Sequence, residues 1–161
     1  MAKARRVTKT SKKTKPASAR KAATRSRATK PAAKSTGFQS AGVYVTVDDI
    51  AASMAWYRDV LGFTVKDRWE QDGTLFGAEL LAGDVLVYIM QDDWKKGRDR
   101  VKGEGMRVFF YVKTRKDVDR LAGQIKSRGG AIASGPQDAF GMRAMDLVDP
   151  TGFKITITSR S

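Results

Sequence analysis

From residue 42 to residue 158 this chain runs through one order of elements twice, and that duplication constrains its fold more than any other feature. The first copy opens with the β-branched run Gly42–Val47, which reads as a strand. Asp48 or Asp49 then offers an N-cap, and Ile50–Leu61 follows as a helix. Its apolar residues Ile50, Met54, Tyr57 and Leu61 recur every three or four positions and make one buried face; Trp56 is read as core packing. Gly62 stops the helix. Strands are predicted at about Thr64–Trp69, Leu75–Leu81 and Val85–Met90, with Asp72-Gly73 and Gly83-Asp84 as the turns between them. The second copy repeats the order. Arg107–Val112 is a strand, and Lys116–Arg128 is a helix with Val118, Leu121 and Ile125 on one face. Gly129-Gly130 ends that helix, a short strand starts at Ala131–Ala133, and Met142–Leu147 and Phe153–Thr158 complete the set. Asp149-Pro150-Thr151-Gly152 is a turn.

The pattern is β-α-β-β-β twice, and neither copy is large enough to hold a secure core alone. Two copies side by side bury one face of each sheet and leave a concave surface between them. The expected class is therefore α+β, with two paired βαβββ modules at about 39–97 and 103–159 inside a domain spanning 37–161. The polar stretch Gln91–Gly105 reads as the linker between modules.

The formal charge of +14 belongs to one end of the chain. Residues 1–36 hold 13 Lys/Arg and no Asp/Glu, whereas the rest of the chain holds 18 Lys/Arg against 17 Asp/Glu. Val7 is the only large aliphatic residue of that first stretch after Met1, so its composition predicts a disordered basic tail. Such a tail binds DNA or RNA non-specifically by counterion release. It carries no aromatic residue for base stacking. There is no apolar run long enough to cross a membrane, and the N-terminus lacks the apolar region of a secretory signal, so no membrane insertion is expected. The expected location is cytoplasmic; nucleoid association is one reading of the tail, beside attraction to an anionic membrane surface or a role in solubility alone. The chain has no Cys, which excludes disulfides and thiolate chemistry. It also has no His, which removes the commonest general base and transition-metal ligand.

Three segments carry a family resemblance. Val47-Asp-Asp-Ile-Ala-Ala-Ser-Met-Ala-Trp-Tyr-Arg-Asp-Val-Leu-Gly-Phe63 resembles the first helix of the vicinal oxygen chelate superfamily, the group of glyoxalases, bleomycin-resistance proteins and dioxygenases. Phe140-Gly-Met-Arg143 and Asp149-Pro-Thr-Gly-Phe153 resemble segments of that family's second module. The resemblance covers about residues 39–158 in the correct order. It implies a glyoxalase-like concave sheet that hosts several chemistries: metal-dependent lyases and isomerases, extradiol dioxygenases, thiol transferases and metal-free drug-sequestering proteins. Metal enzymes of the family place His or Glu at matching strand positions, which fall here at Gly42, about Val87 (or its neighbours Leu86 and Tyr88), Arg107 and Thr156. Gly and Val offer no ligand atom, Arg repels a metal, and Thr alone is a poor ligand. No metal, other cofactor or catalytic residue is therefore expected.

What remains is a concave apolar site for an organic molecule. The candidate ligand-binding residues are Trp69, Phe76, Tyr88, Arg107, Phe109, Tyr111 and Phe140. Strand alternation puts Arg107, Phe109 and Tyr111 on the concave face and Val108, Phe110 and Val112 in the core. Arg107 reads either as a fixed cation for an acidic ligand group or as a strand-end residue in a surface ion pair. Trp94, between Asp92–Asp93 and Lys95, reads either as a contact for a cationic drug or as part of a solvated loop. Glu79 and Asp146 fit acid/base work and an exposed strand face equally. The expectation is a metal-independent small-molecule-binding protein, sequestering a drug or metabolite and forming a homodimer. Two alternatives stand beside it: an atypical lyase, isomerase or transferase with a carboxylate-only metal site, and a nucleoid-associated protein acting through its tail.

Overall fold

The computed structural model describes residues 40–160. The basic tail at 1–36 lies outside the described residues. Strands β1 (Gly42–Val47), β2 (Thr64–Gln71), β3 (Thr74–Ala82) and β4 (Val85–Gln91), with helix α1 (Ile50–Asp59), form the first module. Strands β5 (Arg107–Val112), β6 (Ser134–Ala139), β7 (Met142–Val148) and β8 (Lys154–Ser159), with helix α2 (Arg115–Ser127), form the second. Each module is a four-stranded sheet, ordered β1-β4-β3-β2 and β5-β8-β7-β6. The first strand of each module runs parallel to the last, and the other neighbours are antiparallel. The paired βαβββ arrangement is thus present, as two separately hydrogen-bonded sheets.

Local chemistry explains both helices. Asp49 caps α1 by accepting from the Ala52 amide at 2.9 Å. Thr114 and Asp117 form a reciprocal capping box on α2. The α1 helix ends at Asp59, two residues before the sequence-predicted end, and Gly62 at φ 79° turns the chain back. The strand predicted to start at Ala131–Ala133 instead runs over Ser134–Ala139. That segment has no apolar alternation and contains Pro136. It folds as a strand because it lies at the sheet edge, pairing only with β7, where a missing amide donor is tolerated.

One core serves both modules. Val45, Val47, Leu80, Val87 and Ile89 of the first sheet join Met145, Leu147, Ile155 and Ile157 of the second, with Met54 and Tyr57 from α1 and Val118 and Ile125 from α2. The helix-side faces of the two sheets meet at a narrow gap lined by Val43, Val45, Val108, Phe110 and Ile155. A run of rings, Trp56 on Tyr57 on Phe63 on Phe110, crosses from one module to the other at centroid spacings of 5.1, 5.5 and 5.4 Å.

Tyr57 also donates its hydroxyl to Asp149 Oδ2 at 2.9 Å. Burial, with the Asp149 carboxylate beside it, pushes the Tyr57 hydroxyl far above its usual range. Asp149 is itself buried and accepts from the Thr151 and Phe153 amides, so one carboxylate organises the β7–β8 turn and ties it to α1. Replacing Tyr57 by Phe leaves that buried carboxylate short of a donor. The expected loss is about 1–3 kcal/mol of unfolding free energy, read from urea denaturation with an unchanged slope.

Candidate functional site

Alternation along each strand decides which residues leave the core. On β5, Val108, Phe110 and Val112 are partly buried, while Arg107, Phe109 and Tyr111 point away, as the sequence predicts. On β4 the buried residues are Val87 and Ile89. Val87 therefore faces the core, and the outward positions of that strand are Leu86, Tyr88 and Met90. Val87, near which the resemblance places a metal ligand, thus does not face outward.

The outward face of the first sheet is built around two flat rings. Trp69 on β2 stacks on Tyr88 at 6.0 Å and 17°, and its Nε1 donates to Asp67 Oδ2 at 3.1 Å. Two glycines make room for these rings. A Cβ at Gly77 would lie 2.6 Å from Trp69 Cε3 and 2.4 Å from Met90 Sδ, so a side chain there would have to displace both. A Cβ at Gly42 would meet Tyr88 Cε2 at 3.0 Å. The space beside Gly42, one of the positions matched to a metal ligand, is thus filled by the Tyr88 ring. Glu79 accepts from Lys66 at 2.6 Å, which makes it an ion-pair partner on this face.

The outward face of the second sheet holds an open trough of about 330 Å³. Phe109, Phe140, Met142 and Ala144 give it apolar walls, and Arg107, Asp146, Thr156 and Gln137 give it polar ones. Arg107 Nη1 donates to Asp146 Oδ1 at 2.7 Å and to Thr156 Oγ1 at 3.0 Å. The Thr156 hydroxyl donates to the same Asp146 oxygen at 2.6 Å. Arg107 is therefore ion-paired and still more than a third exposed. Phe140, at the β6–β7 turn, is 98% exposed. Tyr111 stacks on Phe109 at 6.3 Å and lines a separate apolar cavity of about 300 Å³ with Leu61, Phe63, Val85 and Leu121. Of the seven candidate residues, the trough brings together Arg107, Phe109 and Phe140, and the first sheet brings together Trp69 and Tyr88. Phe76 lines neither the trough nor the cavity at Tyr111.

A metal does not fit these residues. Gly42 has no donor, Arg107 is a cation, and Asp146 Oδ1 and Thr156 Oγ1 are already engaged by it. Among the described residues no three His, Cys, Asp or Glu side chains group so as to hold a metal ion.

Trp94 already has two cations of its own chain beside its ring. The Arg98 guanidinium and the Lys102 ammonium lie over its ring at 4.4 and 4.6 Å. Lys102 is buried and bridges Asp92 (2.7 Å) and Asp48 (at shorter range), while Arg100 also pairs with Asp92. Sequence reasoning missed this cluster, because a run of mixed charges carries no periodic signal.

Two paired βαβββ modules define the vicinal oxygen chelate class of fold. The chain belongs to the Glyoxalase/Bleomycin resistance protein/Dioxygenase superfamily, whose profile matches residues 38–157. Among solved structures it is similar to lactoylglutathione lyase from Agrobacterium tumefaciens: TM-score 0.60, 15% identity, covering 78% of this chain and 96% of that one. It is similar to TioX from Micromonospora sp. ML1: TM-score 0.60, 22% identity, covering 76% and 100%. It is similar to a glyoxalase/bleomycin resistance protein/dioxygenase family enzyme from Burkholderia phytofirmans PsJN: TM-score 0.57, 19% identity, covering 73% and 94%. At these identities the likeness is one of fold. No curated protein matches the chain. Among the described residues no helix is long and apolar enough to cross a membrane.

Proposed function

We propose that this protein binds a small organic molecule without a metal and sequesters it, as a drug- or metabolite-binding member of its superfamily. The observation that carries the reading is Arg107 on β5, a position that the family resemblance matches to a metal ligand. Arg107 is locked there by Asp146 and Thr156 beside an open apolar trough. Trp69 and Tyr88 supply a second flat surface. Tyr44, Phe109 and Tyr111 are each about half exposed or more on the outward faces, which favours a homodimer in which a second copy covers them.

A ligand that binds the folded state raises Tm. In a thermal-shift screen, compounds that stabilise this protein keep their full effect in excess EDTA. Stabilisation that disappears with EDTA and returns with a divalent metal would favour the competing reading, a lyase, isomerase or transferase with an oxygen-only metal site. A second activity is proposed for residues 1–36, whose 13 cations and absent acids suit non-specific attachment to nucleic acid and nucleoid association.

A further inference from the structure

The donor inventory of Arg107 identifies the kind of molecule its trough accepts. A guanidinium has five N–H donors. Asp146 Oδ1 and Thr156 Oγ1 both accept from Nη1. Nε and Nη2 have no hydrogen-bond partner among the described residues. Their N–H bonds point in parallel from one edge of the planar group, a fork that matches the two oxygens of a carboxylate. The pairing with Asp146 fixes the plane and leaves that edge unused.

The surroundings set the sign of the preferred charge. Asp146 lies on the opposite, Nη1, side of the guanidinium and takes a second hydrogen bond from Thr156. Lys154 is the register partner of Arg107 and shares its face. Lys154 lies beside the trough and does not line it; with Arg107 it sets two cations at that end of the face against the single carboxylate of the lining. Phe109, Phe140 and Met142 supply apolar surface for the rest of a ligand. We infer that the β5–β8 trough binds compact apolar or aromatic acids, with the ligand carboxylate on the free Nε–Nη2 edge of Arg107. This rests on the small-molecule reading above and names its ligand class.

The test compares acids with their uncharged primary amides: benzoate with benzamide, cinnamate with cinnamamide, and decanoate with decanamide. Each is titrated into the full chain while backbone and Arg Nε–H signals are followed by ¹⁵N NMR. The acids are expected to bind at least about tenfold tighter than their amides, to shift the Arg107 Nε–H signal, and to perturb β5 and β8. Arg107→Gln removes at least about tenfold of acid affinity and leaves amide affinity within about threefold; Arg107→Lys restores the charge but only part of the affinity. Lys154→Gln, farther from any buried contact, weakens acids alone. If acids and amides bind the trough equally, or Arg107→Gln leaves the acids unaffected, the acid assignment is wrong and the small-molecule reading survives. If no probe of either series perturbs β5–β8, both fail.

Discussion

Replacing Lys102 by Met lowers the Tm of this protein by about 10 °C, more than the loss of any surface ion pair. The Lys102 side chain is only 4% exposed and lies between Asp92, 3% exposed, and Asp48. Removing the cation takes one of its two ion-pair partners from a carboxylate that has already left water, and breaking a buried pair from one side is the costly way to do it. Asp92 keeps Arg100 and the Trp94 amide, so the fold survives in a weakened form. A surface pair such as Arg68–Glu70, about half exposed on both sides, serves as the control, and its removal leaves Tm nearly unchanged.

The effect has a definite pH sign. The hydrogen bond from Lys102, first among several donors, holds the Asp92 carboxyl well below its usual range, against the opposing effect of burial. A carboxyl depressed in the folded state adds stability above its unfolded value near 3.8, and that contribution is lost as pH falls through the folded pKa. The gap in Tm between the parent and Lys102→Met therefore stays constant near neutrality and narrows in strong acid. Equal Tm values at pH 7 would mean that the cluster contributes nothing to the linker.

Deleting residues 1–36 is expected to abolish binding to duplex DNA at 50 mM salt while leaving the thermal stability of residues 37–161 unchanged. Thirteen cations without one acid supply the whole net attraction, since the remainder of the chain is nearly neutral. If six to ten of those cations meet phosphates, the affinity of the full chain falls by about 10³-fold or more between 50 and 200 mM salt. Electrophoretic mobility shifts across that salt range measure both points. DNA binding that survives the deletion, or that ignores salt, would remove the tail from the account.

How much was legible in the sequence follows from which physical signals are local. The duplicated order, both helices and seven of the eight strands carry periodicity or turn chemistry, and each lies within a few residues of its predicted place. The exception, β6, is Ser-Gly-Pro-Gln-Asp-Ala, which becomes a strand only because β7 pairs with it at the sheet edge. The direction of Arg107, Phe109 and Tyr111 was legible because the charge of Arg107 and the hydroxyl of Tyr111 mark one face of β5 and leave Val108, Phe110 and Val112 as the better core set. The direction of Val87 was not, because β4 is apolar on both faces and only the fold decides which set meets the helices. The partners of Arg107 lay beyond reach for a different reason. Asp146 and Thr156 are 39 and 49 residues away, and register across three strands brings them together. The roles of Gly42 and Gly77 as gaps for Tyr88 and Trp69 likewise exist only between strands.

The claim at the centre of the account is that the site works without a metal, because an arginine held by a carboxylate and a hydroxyl stands where relatives place a ligand. Native mass spectrometry of the full chain as purified tests it most directly. A dimer with no divalent metal, carrying either nothing or an organic adduct, is the predicted result, and an adduct would give the mass of the ligand. A stoichiometric divalent metal that survives desalting would contradict the account and place an oxygen-only metal site in this fold.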